Sequence, residues 1–101
     1  MQNSIGNNTR VRAEKYLQSA LALAAQGDLA LASSLYRRAL CLAPEHPTAH
    51  YLLGLALMGM GAEEEARVEW QAALDGAGEA QGDWGRCRAR SLLAQHGSGS
   101  N

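Results

Sequence analysis

The sequence has few of the residues from which β-sheets are built. Among its 101 residues there is no phenylalanine, and valine, isoleucine and threonine together number only 5. Strands draw on β-branched and aromatic side chains, so this scarcity argues against a sheet-based fold. Alanine and leucine, both strong helix formers, instead occupy 34 positions. The chain has room for one small domain, and its composition predicts an all-α fold.

Several other features are also missing. A net charge of -1 gives no general attraction to nucleic acid or to an anionic membrane. No stretch approaches the roughly 18 apolar residues of a membrane-spanning helix, and the polar start is unlike a secretory signal. Cys41 and Cys87 are far apart, which supports neither a disulfide framework nor a zinc site. We therefore expect a cytoplasmic protein, with no membrane insertion and two reduced, largely buried thiols.

Part of the chain repeats itself after 34 residues. At this offset the following residues come into register: Ala20 with Gly54, Leu23 with Leu57, Gly27 with Gly61, Ala32 with Ala66, Tyr36 with Trp70, Ala39 with Ala73 and Leu40 with Leu74. A constant offset of this length indicates stacked two-helix units, none of which can bury its apolar face alone. The small residues let helix backbones approach closely, and the rings of Tyr36 and Trp70 fill the gaps.

Helix-breaking and helix-capping residues predict five helices. Their expected ranges are 9–25, 29–42, 47–60, 62–75 and 83–95. The residues that delimit them are Thr9, Asp28 and Asp83 as N-caps, Gly27, Pro44 and Gly97 as ends, Pro47 in a first turn, and Glu63, Glu64 and Glu65 at a helix start. Gly76, Gly78 and Gly82 are expected to loosen the segment before the fifth helix. Residues 1–8 are expected to be a disordered segment and residues 97–101 a flexible tail.

The segments GDLALASSLYRRALCLAPEHP and AHYLLGLALMGMGAEEEARVEWQAAL resemble tetratricopeptide repeats. The matching residues are Tyr16, Ala20, Leu23, Gly27, Ala32, Tyr36, Ala39 and Pro44 in the first repeat, and Leu53, Gly54, Leu57, Gly61, Ala66, Trp70 and Ala73 in the second. Ser19, His50 and Gly78 depart from the family pattern. The resemblance implies an α-solenoid in a single domain over residues 9–96. Its parts are repeat one at about 13–46, repeat two at about 47–80, and a capping helix at about 83–95 that Trp84 opens.

In this family the first helix of each pair lines a concave groove that receives a peptide. The resemblance therefore implies a groove formed by Leu17, Leu21, Ala24 and Ala25 of the first helix, Tyr51, Leu55 and Met58 of the third, and Arg86, Ala89 and Leu93 of the capping helix. The third helix also carries YLLGLALMGM, ten residues without a charge. Such a helix is either buried on several sides by its neighbours or has a ligand against its free face.

These residues predict a non-catalytic adaptor or small chaperone. Its groove would bind a peptide or amphipathic helix of another protein, with Tyr51 and Met58 as adaptable contacts. Some tetratricopeptide proteins clamp a C-terminal carboxylate with Lys, Arg and Asn, but the corresponding positions here are mostly Leu, Ala and Tyr. The alternative is a structural protein whose groove is filled by another copy of itself, because self-association would hide the same leucines.

Patterns typical of catalysis and of cofactor binding are missing. No nucleophile–base pair and no phosphate-binding glycine loop is visible, so we expect no enzyme, no cofactor and no nucleic-acid partner. His46 and His50 are four residues apart, but Pro47 lies between them, which favours loop and packing roles over a metal site. The alternating arginines of residues 86–90 favour a solvated cap over a phosphate site. Cys87 is expected to be a buried structural thiol.

Overall fold

Five α-helices make up the part of the chain that the structure, a computed structural model, describes, which is residues 3–75 and 83–97. They are α1 (Asn3–Ala25), α2 (Leu29–Leu42), α3 (Pro47–Gly59), α4 (Glu63–Asp75) and α5 (Asp83–Leu92), and a π-helical turn over Leu93–Gly97 follows α5. These residues contain no strand, which confirms the all-α prediction. None of the described helices is long and apolar enough to span a membrane.

The observed helix ends lie within one residue of the predicted ends except at the start of α1 and at the end of α5, which lies at Leu92 rather than near residue 95. The first helix begins at Asn3 rather than at Thr9, so residues 3–8, which were expected to be disordered, are helical. No proline interrupts this segment, and Gly6 lowers its helix propensity without stopping the helix. Asp28 does precede α2, but its side chain makes no capping hydrogen bond. The predictions for Gly76, Gly78 and Gly82, and for the tail after Gly97, lie outside the described residues.

The same type of turn joins the two helices of each pair. Gly27 and Gly61 adopt φ angles of +90° and +86°, in the left-handed region that glycine enters without strain. In the first turn Asp28 N–H donates to Leu23 O at 2.9 Å, and in the second Ala62 N–H donates to Leu57 O at the same distance. This hydrogen-bond pattern ends many helices at a glycine. The repeat seen in the sequence is therefore also a repeat of backbone conformation.

Small residues and one large ring form the contact within each helical pair. Ala20, Ala32 and Ala39 of the first pair are buried, as are their equivalents Gly54, Ala66 and Ala73 in the second. Tyr36 and Trp70, the equivalent aromatic residues, are among the largest fully buried side chains. The Trp70 indole N–H donates to the Tyr51 carbonyl at 3.2 Å, which satisfies the polar atom of a buried ring.

The second pair stacks on the first, and α5 covers its other side. α3 packs on α2 of the preceding pair, and α5 packs on both α3 and α4. Gly85 lies so close to the backbone of Thr48 that no side chain fits between the two helices. Ala89, one turn after Gly85, is fully buried, so this side of α5 is used for packing. We call α1, α3 and α5, the first helices of successive units, the first-helix layer, and we call α2 and α4 the second-helix layer.

The cysteines do not lie where the sequence analysis placed them. Cys41 on α2 and Cys87 on α5 are both exposed thiols rather than buried ones. The prediction failed because Ala39 and Ala89, two residues away from each cysteine, occupy the buried sides of α2 and α5. Positions two residues apart on a helix point about 200° apart.

Replacing Gly54 by alanine tests the close contact within the second pair. A methyl group at this position would overlap the five-membered ring of Trp70, which is fully buried and has no room to move. We expect the Gly54→Ala variant to lose about 1–3 kcal/mol of unfolding free energy, because overpacking outweighs the gain in helix propensity. Chemical denaturation followed by circular dichroism measures this loss.

Gly59→Ala is the matched control on the same helix. A methyl group there meets only the Leu29 Cδ1 atom, at 2.6 Å, which is the far end of a flexible side chain. This variant is expected to stay within about 0.5 kcal/mol of the original stability, the size typical of a substitution at an exposed position. Equal effects of the two substitutions would contradict the contact between Gly54 and Trp70.

A second substitution tests the seating of the capping helix. A methyl group on Gly85 would lie 2.6 Å from the Thr48 Cα atom, which is backbone and cannot rotate away. We expect Gly85→Ala to push α5 off α3 and to increase hydrogen exchange of the α5 amides while the α1–α2 pair keeps its protection. Unchanged exchange in α5 would show that the two helices are less closely packed.

Candidate protein-binding face

The layer formed by the first helix of each pair leaves a set of side chains uncovered. We call this set the first-helix face, and it consists of Leu21, Ala24 and Ala25 of α1 and Leu55, Met58 and Gly59 of α3. Leu21 and Leu55 are 44% and 38% exposed, and Ala24 and Met58 are half-buried. Ala25 is exposed but small, so another chain can approach the helix backbone there, whereas the Leu29 side chain of α2 occupies the space beside Gly59.

The first-helix face contains the same positions in both repeats. Leu21 and Leu55 are 34 residues apart, as are Ala24 and Met58. The second helices of the pairs also expose single large apolar side chains, but these are not repeated. The position equivalent to Leu31 is Glu65, and the position equivalent to Val68 is Ser34. Among the described residues, the one pair of equivalent large apolar side chains that is exposed in both repeats therefore lies on the first helices.

Only some of the residues predicted to line a groove are accessible. Leu21, Ala24, Leu55, Met58 and Leu93 retain exposed surface. Leu17, Tyr51 and Ala89 do not, because they are 4%, 8% and 0% exposed. The prediction was wrong for these three residues, which are used in packing the helices against each other. The side chain of Arg86 lies outside the described part of the structure.

Neighbouring helices cover most of the surface of α3. Eight of its residues are buried, and they are distributed around the helix: Pro47, Ala49, Tyr51, Leu52, Leu53, Gly54, Ala56 and Leu57. Leu55 is its one large apolar residue with more than a third of its surface exposed. Most of the uncharged run is therefore core. This was the first of the two interpretations of its sequence, burial by neighbouring helices. What remains for a partner is a narrow apolar strip around Leu55 and Gly59.

Two histidines form polar contacts at the junction between the repeats. His46 precedes α3 and accepts a hydrogen bond from Ala49 N–H at its Nδ1 atom, while its Nε2 atom lies 3.2 Å from Glu14 of α1. His50 lies one turn further along α3, and its Nδ1 atom is 2.8 Å from a carboxylate oxygen of Glu69. These carboxylate partners could not be found from the sequence, because they are 32 and 19 residues away along the chain.

The surroundings of His50 change its affinity for a proton. Burial lowers the pKa of the ring, but its hydrogen bonds to Glu69 and to the Pro44 carbonyl, together with the negative charge of Glu69, raise it. The net direction is a pKa above the ordinary value of 6.5. Within residues 3–75 and 83–97, no three His, Cys, Asp or Glu side chains converge in a metal-binding arrangement. The contacts of the two histidines connect α3 and the loop before it to α1 and α4.

A shallow depression lies on another side of α1. It is lined by Arg12, Lys15, Tyr16 and Ser19. Tyr16 is half-buried and the other three residues are exposed, so no buried polar group is directed at a ligand. This depression lies apart from the first-helix face. It lacks the buried polar or charged side chain that would hold an anion in place.

Comparison with known proteins supports the repeat interpretation. A family model described as TPR repeat matches residues 20–61, which run from the middle of α1 through α2 to the turn after α3. No curated protein and no solved structure gives a match to this chain. Tetratricopeptide repeats generally mediate contacts between proteins and generally have no catalytic role. Residues 20–61 are thus similar to a tetratricopeptide repeat, and the described residues have an all-α helical repeat fold consistent with that similarity.

Proposed function

We propose that this protein is a non-catalytic interaction module that binds a peptide or an amphipathic helix of another protein on its first-helix face. The observation that carries the proposal is the repeated exposure of Leu21 and Leu55 at equivalent positions of two stacked repeats. Two exposed leucines in the same register give a partner two matching contacts along one surface. Amphipathic partners present apolar side chains with this kind of regular spacing.

The size of the face limits the affinity that it can provide. Fully burying an exposed leucine contributes about 1.5–3 kcal/mol. Leu21 and Leu55 are already more than half buried, so each can contribute about 1 kcal/mol. A micromolar complex requires about 8 kcal/mol, which two leucines do not supply. A partner must therefore also use Ala24 and Met58 of this face and, beyond the face, Leu93 in the turn after α5. We expect binding to be weak unless the partner reaches all of these residues.

This face is suited to an adaptor or a small chaperone. The α3 part of the face carries no charge, so it selects for apolar side chains rather than for a carboxylate or a phosphate. Ala25 allows a bound backbone to lie close to α1. Both roles require only that an apolar segment of the partner be removed from water, and no step of bond making or breaking is involved.

The alternative occupant of the first-helix face is a second copy of the chain. Self-association would bury the same leucines, and its interface would be formed by the same patch on both subunits. Light scattering over a range of protein concentrations separates the two possibilities. A monomer at high concentration supports a foreign partner, whereas a dimer that Leu55→Glu dissociates supports self-association.

Leu55→Glu is expected to abolish partner binding and to leave the fold intact. The side chain is 38% exposed, so a carboxylate placed there can reach water in the free protein but would be buried in a complex. We would select peptides against the original chain from a displayed library and measure their affinity by calorimetry. The variant should bind at least tenfold more weakly, with an unchanged helical signal in circular dichroism.

Val68→Glu provides the matched control. Val68 is 64% exposed on α4, in the other layer, and the substitution introduces the same charge in place of an apolar side chain. Its peptide affinity is expected to equal that of the original chain. Equal weakening by both substitutions, or loss of helicity with Leu55→Glu, would show that the first-helix face is not the binding surface.

A further inference from the structure

Both ring nitrogens of His50 face hydrogen-bond acceptors. The Nδ1 atom lies 2.8 Å from the Oε1 atom of Glu69, and the Nε2 atom lies 2.8 Å from the carbonyl oxygen of Pro44. A carboxylate and a carbonyl cannot donate, so each nitrogen must carry a hydrogen if both bonds are to form. Neutral imidazole has one N–H group and imidazolium has two. The geometry around His50 is therefore satisfied only by the protonated ring.

His46, one turn earlier, has the opposite requirement. Its Nδ1 atom accepts the hydrogen bond of Ala49 N–H at 3.2 Å, so this nitrogen must be without a proton. Its Nε2 atom lies 3.2 Å from the Oε2 atom of Glu14 and can donate to it. The neutral ring with the proton on Nε2 satisfies both contacts. The contacts of His46 thus need one N–H group, whereas those of His50 need two.

We propose that His50 is a proton-dependent clamp at the junction between the repeats, with its imidazolium holding α4 of the second pair to the loop that ends the first pair. Glu69 belongs to α4, and Pro44 belongs to the loop between α2 and α3. The ring itself is carried by α3, so one side chain connects three consecutive elements. Loss of one proton removes one of its two hydrogen bonds and the charge attraction to Glu69.

The other groups around the ring do not replace these contacts. Among the described residues, Glu69 is the charged group that faces His50, and the Glu14 carboxylate of α1 is directed at His46 instead. α2 and α5, which also pack on α3, place no titratable side chain of the described residues in contact with the ring. The side chains of His50 and Glu69 are 15% and 18% exposed, so water screens the pair only in part.

The direction of the pH dependence follows from the pKa of His50. Glu69 and the Pro44 carbonyl hold the pKa of the folded protein above 6.5, the ordinary value that the unfolded chain is expected to show. The stabilisation by the clamp is therefore fully present below pH 6.5 and is lost as the pH rises through the pKa of the folded state. The clamp is expected to hold at mildly acidic pH and to release at alkaline pH.

Nuclear magnetic resonance of the imidazole nitrogens tests the clamp directly in the full chain. In the original protein His50 should titrate with a midpoint above 6.5 and show protons on both nitrogens below that midpoint. Glu69→Gln should move the midpoint down, because it removes the negative charge beside the ring. Glu65→Gln removes the same charge from an exposed position one turn earlier on α4 and should leave the midpoint unchanged.

Unfolding measured at two pH values provides the second test. At pH 6 the unfolding equilibrium constant of Glu69→Gln should exceed that of Glu65→Gln several-fold, and at pH 9 the two constants should agree within about twofold. A His50 midpoint at or below 6.5 in the original chain would overturn the proposal. An effect of Glu69→Gln that is equal at both pH values would also overturn it, since it would show that the contact works without the proton.

Discussion

The structure depends on the close approach of helices whose contact positions carry alanine or glycine. Where Ala20 and Gly54 face the second helices of their pairs, no side chain holds the backbones apart, and the rings of Tyr36 and Trp70 fill the space beside them. Dispersion forces and burial of apolar surface both increase when atoms pack at this density. One pair alone would leave an apolar side in contact with water. Stacking of the pairs buries that side.

Stacking determines which surface remains for a partner. α3 is the middle element, and it uses most of its circumference to contact α2, α4 and α5. The part of α3 that no helix covers carries Leu55, in the register that Leu21 has on α1. The proposed binding face is therefore a consequence of the stacking geometry rather than a separate structural addition. Its small area explains why its contacts must be spread along the layer.

The junction between the pairs is the polar part of an otherwise apolar interface. His46 connects the start of α3 to α1, and His50 connects α3 to α4 and to the preceding loop. Polar side chains that lie partly out of water need hydrogen-bond partners, and both rings have a partner at each nitrogen. Such directional contacts fix how one pair is rotated on the next, whereas packing of alanine and leucine alone is less specific about direction.

The sequence by itself determined the helical pairs. The repeat of 34 residues, the glycines of the turns and the buried Ala32, Tyr36 and their equivalents follow from local conformational preference and from spacing along single helices. The resemblance to tetratricopeptide repeats also pointed to Leu21 and Leu55, whose side chains are exposed, and their role in binding stays a prediction.

Only the tertiary structure decided which residues of that layer stay exposed. Leu17, Tyr51 and Ala89 share the register of a groove, yet contacts between helices bury them. Helical periodicity reports the side of one helix on which a residue lies, but not how closely the next helix packs there. The partners of His46 and His50 were likewise decided by the fold, because hydrogen bonds between distant segments leave no periodic trace in the sequence.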